Sequence, residues 1–256
     1  MKLFDLSGRT AIVTGSSRGI GRAIAETLAD AGAKVVVSSR KAPACEDVVA
    51  GIAKSGGTAI TIPCNVGHKD QLQALVRQTR ERFGPIDILV CNAAVNPYYG
   101  PLAEIPDEAY DRIMNSNVRS NLWLCQMVHQ DMMTKRDGSI VIISSIAGVK
   151  GTAKLGAYAI SKAADSQLAR NLAVEWGEHN IRVNCIAPGL VKTDFAKALW
   201  ENPEQLEHRL RTTPLRRIGE PQDMAGLSLL LASPAAGFIT GQTIIADGGV
   251  TIAGGG

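Results

Sequence analysis

Short runs of β-branched and apolar residues alternate with longer amphipathic stretches along this chain, and that alternation constrains its fold more than any other feature. The strand-like runs are Thr10–Thr14, Lys34–Ser38, Thr58–Ile62, Ile86–Cys91, Ser139–Ile143, Ile181–Ile186 and Thr243–Ala246. Between them the apolar spacing predicts helices from about Gly19 to Ala31, Pro43 to Lys54, Lys69 to Phe83, Pro106 to Thr134 and Ala157 to Gly177. Continuous apolar strands joined by helical crossovers imply a parallel sheet covered on both faces, and right-handed crossovers make it doubly wound. The expected fold class is therefore α/β: a single-domain Rossmann-type doubly wound parallel sheet of about seven strands, with helices on both faces. The 256 residues suit one such domain, and no stretch between the motifs reads as a linker, repeat or low-complexity tract.

Composition excludes more than it specifies. Lys plus Arg total 27 and Asp plus Glu total 24, a net charge of +3. That balance, without any Lys/Arg-rich block, gives no argument for nucleic acid. The five cysteines are odd in number, form no C-x-x-C and lie in apolar surroundings, as buried thiols of a reduced compartment do. His68, His129, His179 and His208 are scattered and read as surface or helix-end residues, so no metal site is expected. Met1–Leu6 lacks the apolar core of a signal peptide, no apolar run has the length of a membrane span, and Gly254–Gly256 carries no peroxisomal or endoplasmic address. The expectation is a cytoplasmic protein with neither membrane nor nucleic-acid partners.

In a doubly wound sheet, ligands sit beyond the carboxyl ends of the strands. The first strand ends in Thr14-Gly15-Ser16-Ser17-Arg18-Gly19-Ile20-Gly21, where a helix begins. Glycines let the backbone approach a pyrophosphate, and the free N–H groups of the helix start face its charge. The G-x-x-x-G-x-G spacing also fits a plain tight connection; its place after the first strand favours the phosphate reading. The second strand runs into Ser38-Ser39-Arg40-Lys41, with no acid before Glu46. A carboxylate here would bond the ribose 2′-hydroxyl of NAD, whereas arginine suits the 2′-phosphate of NADP. Arg40, with Arg18 and the hydroxyl of Ser39, therefore points to NADP(H) over NAD(H).

Ser144-Ser145 follows the fifth strand, Tyr158 lies thirteen residues beyond Ser145, and Lys162 stands four residues after Tyr158. Spacing of four places Tyr158 and Lys162 on one helix face. Tyrosine is a poor base at neutral pH, and an adjacent ammonium favours the phenolate. Tyr158 is then placed to give a proton to a carbonyl oxygen or to take one from an alcohol, with Ser145 bonding the same oxygen. Taken alone, Tyr-x-x-x-Lys is a common surface pair and Ser144-Ser145 a plain strand end; joined to the glycine turn, the spacing becomes specific.

Together these motifs resemble the short-chain dehydrogenase/reductase family over nearly the whole chain. Thr14–Gly21 resembles its cofactor turn, and Asn92-Ala93-Ala94 resembles its Asn-Ala-Gly motif with Ala94 in place of glycine. Asn117, Ser145, Tyr158 and Lys162 match its catalytic residues, and Pro188-Gly189, Val191 and Thr193 match the segment that passes the nicotinamide. The resemblance implies that Asn117 distorts its helix and holds a proton-relaying water, and that Lys162 also binds the nicotinamide ribose. It implies that Asn92 positions strand and cofactor. Asn65-Val66 stands where the family usually carries Asp-Val against adenine. Val35–Lys41, Asn92–Pro97 and Ala187–Thr193 are similar to the NADPH-dependent carbonyl and retinal reductase branch. The resemblance further implies a homotetramer that pairs the Pro106–Thr134 and Ala157–Gly177 helices. The apolar Leu122, Leu124, Met127, Leu168, Leu172 and Val174 fit that interface and fit an intramolecular core equally well.

Leu190–Leu215 carries Phe195, Leu199, Trp200, Leu206 and Leu210 among charges, a pattern suited to a substrate flap or to a permanently packed helix. Val95–Gly100, with Tyr98 and Tyr99, and the residues Ile146, Val149 and Leu155 are candidates for the remaining walls. The sequence thus points to NADP(H)-dependent oxidoreduction of a ketone, aldehyde or secondary alcohol. A 3-oxoacyl thioester reductase and a polyol or sugar-acid dehydrogenase are the alternatives within the class, and a catalytically silent dinucleotide-binding regulator is the alternative outside it.

Overall fold

The computed structural model describes residues 2–253, so the reading of Gly254–Gly256 lies outside the described residues. Seven parallel strands form one sheet: β1 (Thr10–Thr14), β2 (Lys34–Ser38), β3 (Thr58–Thr61), β4 (Ile88–Cys91), β5 (Gly138–Ile143), β6 (Ile181–Pro188) and β7 (Thr243–Ala246). Their order is β3-β2-β1-β4-β5-β6-β7, and every pairing is parallel. This is the doubly wound arrangement, and its reversal point lies between β1 and β4.

Alternate side chains of each strand point to opposite faces, so each buried strand must supply two cores. On one face Ala11 and Val13 pack with helices α1 (Gly19–Asp30), α2 (Ala42–Lys54) and, farther along the sheet, α8 (Pro221–Ala232). On the other, Ile12 and Val36 pack with α3 (Lys69–Phe83), α5 (Ser120–Lys135) and α6 (Gly156–Trp176). Helix α8 was not foreseen in the strand-and-helix pattern, because it is apolar nearly all round and so shows little amphipathic periodicity. Its start was legible: Pro221 opens it, and Glu220 and Asp223 form a reciprocal capping box.

Three expectations about element boundaries need correction. The long helix foreseen over Pro106–Thr134 divides into α4 (Asp107–Met114), a π turn (Asn115–Arg119) and α5. β4 begins at Ile88 rather than Ile86, since the Ile86 N–H is taken by Asp131 Oδ2 at 3.1 Å. β6 runs on to Pro188, because β7 pairs beside it up to Pro188↔Ala246. The segment foreseen as a flap is a 3₁₀ turn (Asp194–Leu199) followed by α7 (Pro203–Thr212).

Of the apolar residues considered for a subunit interface, Leu124 and Leu172 belong to the core, whereas Val174 is 85% exposed. All five cysteines are free and buried. Among the described residues, no helix is long and apolar enough to cross a membrane.

Candidate active site

The carboxyl ends of the strands open into one cleft of about 1650 Å³. Every sequence-derived site residue lines it except Asn117, which lies fully buried behind the wall. At one end is the glycine turn. Gly15 has φ +65°, and a Cβ there would lie 2.9 Å from the backbone of Ala93. A Cβ on Gly21 would lie 2.4 Å from Asn92 Nδ2 and 2.5 Å from the Gly15 carbonyl oxygen. The turn is therefore pressed onto the end of β4, and only glycine allows that approach.

Hydrogen bonds fix this contact. Asn92 Nδ2 donates to the carbonyls of Thr14 (2.9 Å) and Gly15 (3.1 Å). Thr14 Oγ1 accepts from the N–H groups of Asn92 (3.0 Å) and Ala93 (3.1 Å). Ser17, Arg18, Gly19 and Ile20 line the cleft at the start of α1, where free N–H groups and the helix dipole favour an anion.

Next to the turn, Ser16 Oγ donates to Val13 O (2.6 Å) and accepts from the Ser38 N–H (2.9 Å), tying the turn to the end of β2. This brings Ser39 and Arg40 to the cleft wall. Ser39 Oγ lies 3.2 Å from Cys45 Sγ. Arg40 is exposed and makes no hydrogen bond or ion pair among the described residues. Arg18 differs: its guanidinium contacts Asp194 of the flap at 3.3 Å, with both side chains about two-thirds exposed. Asn65 Oδ1 accepts from the Gly67 N–H at 3.2 Å, which shapes the loop that presents Asn65 and Val66.

At the other end α6 carries Tyr158 and Lys162. Lys162 Nζ lies 5.8 Å from the centroid of the Tyr158 ring, and Phe195 of the flap lies 6.2 Å from that ring on a tilted plane. Ser145 Oγ accepts from the Ala147 N–H at 3.1 Å, which orients it at the lip of β5. Ser144 Oγ donates to Lys162 O at 2.8 Å and ties α6 to that lip. Lys162 is buried; its Nζ donates to Ile143 O (2.8 Å) and to Asp165 Oδ2 (3.0 Å). Burial pulls the Lys162 ammonium down, and the Asp165 carboxylate together with Tyr158 more than offsets this, holding it above its usual range.

Asn117 sits in the π turn. Its Oδ1 accepts from the Val95 N–H (2.8 Å), and its Nδ2 donates to Val95 O (3.0 Å) and Ser161 Oγ (3.1 Å). The side chain is thus a clamp on the loop after β4. Its carbonyl oxygen accepts from Asn121 Nδ2 at 2.6 Å.

Pro188, Gly189, Val191 and Thr193 pass along the cleft. The Gly189 N–H donates to Ala246 O at 3.0 Å, and Thr193 Oγ1 caps the 3₁₀ turn of the flap. Val95, Tyr99, Ile146, Leu155, Phe195 and Leu199 supply walls as expected. Tyr98 and Val149 do not; the Tyr98 hydroxyl instead donates to Pro101 O at 2.9 Å. Trp200, Leu206 and Leu210 border a separate cavity of about 480 Å³ with Lys192 and Ile218. The stripe expected along the flap therefore divides between two cavities, because the 3₁₀ turn rotates its halves apart.

Cys64 lines the cleft, but burial and then Asp70 push its thiol up to about 11, so it is a poor nucleophile. Two residues that organise the site escaped the motif search: Asn121 and Asp165. A carboxylate three residues after Lys162, among alanines on an inward helix face, was the available signal for Asp165.

The comparisons with known proteins agree with this geometry. Residues 15–251 match a family model described as Enoyl-(Acyl carrier protein) reductase. Dehydrogenase/reductase SDR family member 4 of Oryctolagus cuniculus is 43% identical over 244 residues, covering 95% of this chain and 94% of that protein. The Homo sapiens protein of the same name is 41% identical, covering 95% and 88%. A solved 7α-hydroxysteroid dehydrogenase complexed with NADH and 7-oxo glycochenodeoxycholic acid superposes with TM-score 0.93 at 41% identity, covering 97% and 96%. A gluconate 5-dehydrogenase from Burkholderia cenocepacia J2315, in complex with NADP and tartrate, superposes with TM-score 0.94 at 30% identity, covering 99% of each chain.

Proposed function

The chain belongs to the short-chain dehydrogenase/reductase family, and from that premise we propose that it interconverts ketones or aldehydes and alcohols with NADP(H), using Tyr158 as general acid and base. It is an NAD(P)-dependent oxidoreductase. The observation that carries the finer reading is the cleft itself. A glycine cradle too tight for any Cβ and an uncommitted Arg40 mark one end, and Tyr158, Lys162 and Ser145 converge at the other.

The cradle fits a dinucleotide. Gly15, Gly19 and Gly21 keep the backbone open to a pyrophosphate, which the N–H groups at the start of α1 would bond. Asn65 and Val66 would flank adenine, and Ser39 and Arg40 would meet the ribose 2′-phosphate. Arg40 supports NADP over NAD, since it is free to pair and no acid shares the end of β2. A bound nicotinamide supplies or accepts the hydride.

The chain's residues handle the proton and the oxygen. In reduction Tyr158 gives its phenolic proton to the carbonyl oxygen while Ser145 Oγ donates to the same oxygen. The Lys162 ammonium stabilises the charge left on Tyr158. In oxidation the proton returns from the alcohol to Tyr158. Phe195 and Leu199 line this end and would shield it from water once a substrate fills the cleft. The apolar walls, and the stretches similar to the carbonyl and retinal reductase branch, support a carbonyl substrate with a hydrophobic body. A homotetramer is the assembly that the family resemblance suggests.

The test is a scan of ketones, aldehydes and secondary alcohols with NADPH or NADP, followed by Tyr158→Phe on the best substrate. Turnover should fall by about three orders of magnitude or more with NADPH still bound. A variant with unchanged turnover refutes the mechanism. The same scan includes 3-oxoacyl thioesters and sugar acids, and turnover of either would move the substrate class accordingly.

A further inference from the structure

The reading above leaves one buried charge without a role. Asp165 stands one turn after Lys162 on α6 and has no solvent exposure. A buried ionised carboxylate is costly unless every oxygen is satisfied. Here both are. Oδ2 accepts from Lys162 Nζ at 3.0 Å, and Oδ1 accepts from Asn121 Nδ2 at 2.9 Å. The same Asn121 amide nitrogen donates to Asn117 O at 2.6 Å. A continuous hydrogen-bonded path therefore runs from the Lys162 ammonium through Asp165 and Asn121 to the backbone of the π turn.

An ammonium has three N–H donors. Asp165 takes one and Ile143 O takes another at 2.8 Å, so one remains for the cleft that Lys162 lines. Among the described residues no other carboxylate acts on Lys162. On α6 itself the other titratable neighbour is Tyr158. From β6, the Cys185 thiol donates to Asp165 O at 3.4 Å, and burial followed by Asp165 pushes it up to about 12. From β4 and α5, Cys91 and Cys125 share a hydrogen bond, and that bond with burial holds Cys91 well above the thiol range. Cys91 and Cys185 are thus neutral spectators. Burial also raises Asp165, against the pull of Lys162.

We propose that Asp165 is a positioning residue for the active site: its carboxylate locks Lys162 Nζ against the Ile143 carbonyl and so directs its remaining N–H into the cleft. The proposal rests on the role given above to Tyr158 and Lys162. It assigns to the protein's own side chains the task of holding that cation in a dry wall, and it links the cation rigidly to the π turn that carries Asn117.

The test uses NADPH as the probe. Its dissociation constant is measured by quenching of tryptophan fluorescence from about pH 7 to about pH 10 for the native protein, Asp165→Asn and Asp165→Leu. Without the carboxylate, Lys162 stays buried but loses its paired anion, with Tyr158 the main group still favouring the ammonium, so the ammonium is lost earlier. The alkaline weakening of NADPH binding should therefore move at least about one pH unit toward neutrality in both variants. The alkaline limb of turnover, on the best substrate of the scan, should move with it. An unmoved limb, with only a pH-independent loss of affinity or of thermal stability, overturns the proposal.

If the single variants fail to fold, Lys162→Met/Asp165→Leu replaces the pair by apolar side chains and leaves no unpaired charge. That double variant should equal Lys162→Met in turnover and NADPH affinity; a further tenfold loss shows that Asp165 acts other than through Lys162, and also overturns the proposal. Tyr158→Phe separates the two levels. Turnover surviving that change defeats the parent reading, whereas turnover lost there with an unmoved Asp165 profile defeats only this one.

Discussion

Asn117→Ala tests whether the buried amide holds the loop after β4. Three hydrogen bonds meet on its side chain, two with the backbone of Val95 and one with Ser161 Oγ. Each neutral bond contributes about 0.5–1.5 kcal/mol net, so the set lies within about 1.5–4.5 kcal/mol. Two features reduce the loss. Val95 is half-buried, so water can reach part of its backbone. Ser161 Oγ still donates to Tyr158 O at 2.7 Å. The expected cost is therefore about 2–3 kcal/mol. In a chain of this size that lowers the thermal midpoint by about 4–12 °C. Far-ultraviolet circular dichroism on heating measures it. Ser161→Ala should cost less, and the double variant should cost less than the sum, since the two side chains share a bond. A midpoint drop under about 2 °C for Asn117→Ala, or strict additivity in the double variant, refutes the clamp.

Three further expectations follow from the same geometry. Arg40→Ala should weaken NADPH by about ten- to one-hundred-fold, the worth of a charge-assisted pair, and leave NADH nearly unchanged in parallel binding titrations; equal losses would sink the specificity argument. Gly21→Ala drives a Cβ into Asn92 Nδ2 and the Gly15 carbonyl, so NADPH affinity should collapse by more than about tenfold; an unchanged dissociation constant means that the cradle is not the pyrophosphate site. Asp223 is bonded by Arg217 and by the Glu220 N–H, which lower it from 3.8 to about 2, so its contribution to folding is present above 3.8 and lost as pH falls through about 2. The midpoint difference between the native protein and Asp223→Asn should accordingly shrink on acidification across that window, and a difference independent of pH would contradict the pairing.

Much of this molecule was readable before any coordinates. Strands apolar on both faces, such as Ala11 and Val13 toward one core and Ile12 toward the other, alternating with helical stretches, made the parallel sheet readable. The cleft residues were readable because a doubly wound sheet puts ligands where its strands end. What escaped the apolar spacing was of three physical kinds. Helix α8 lies against α1 and the sheet with little polar face, so periodicity could not mark it. The π turn at Asn115–Arg119 shifts one residue out of helical register, which no apolar spacing reports, although the family resemblance implied that Asn117 distorts its helix there. Asp165 and Asn121 reach the site through the interior, from helix faces where a polar residue looks like an exception to a core rather than part of a site.

The buried cysteines have a practical consequence. With all five thiols shielded from water, alkylating reagents meet no ready nucleophile on the native surface. A cysteine introduced at Ala198, exposed at the rim of the cleft, would be a single addressable handle on the flap. A fluorophore attached there would report whether this segment moves over the cleft when cofactor or substrate is added, in protein whose native cysteines need not be removed.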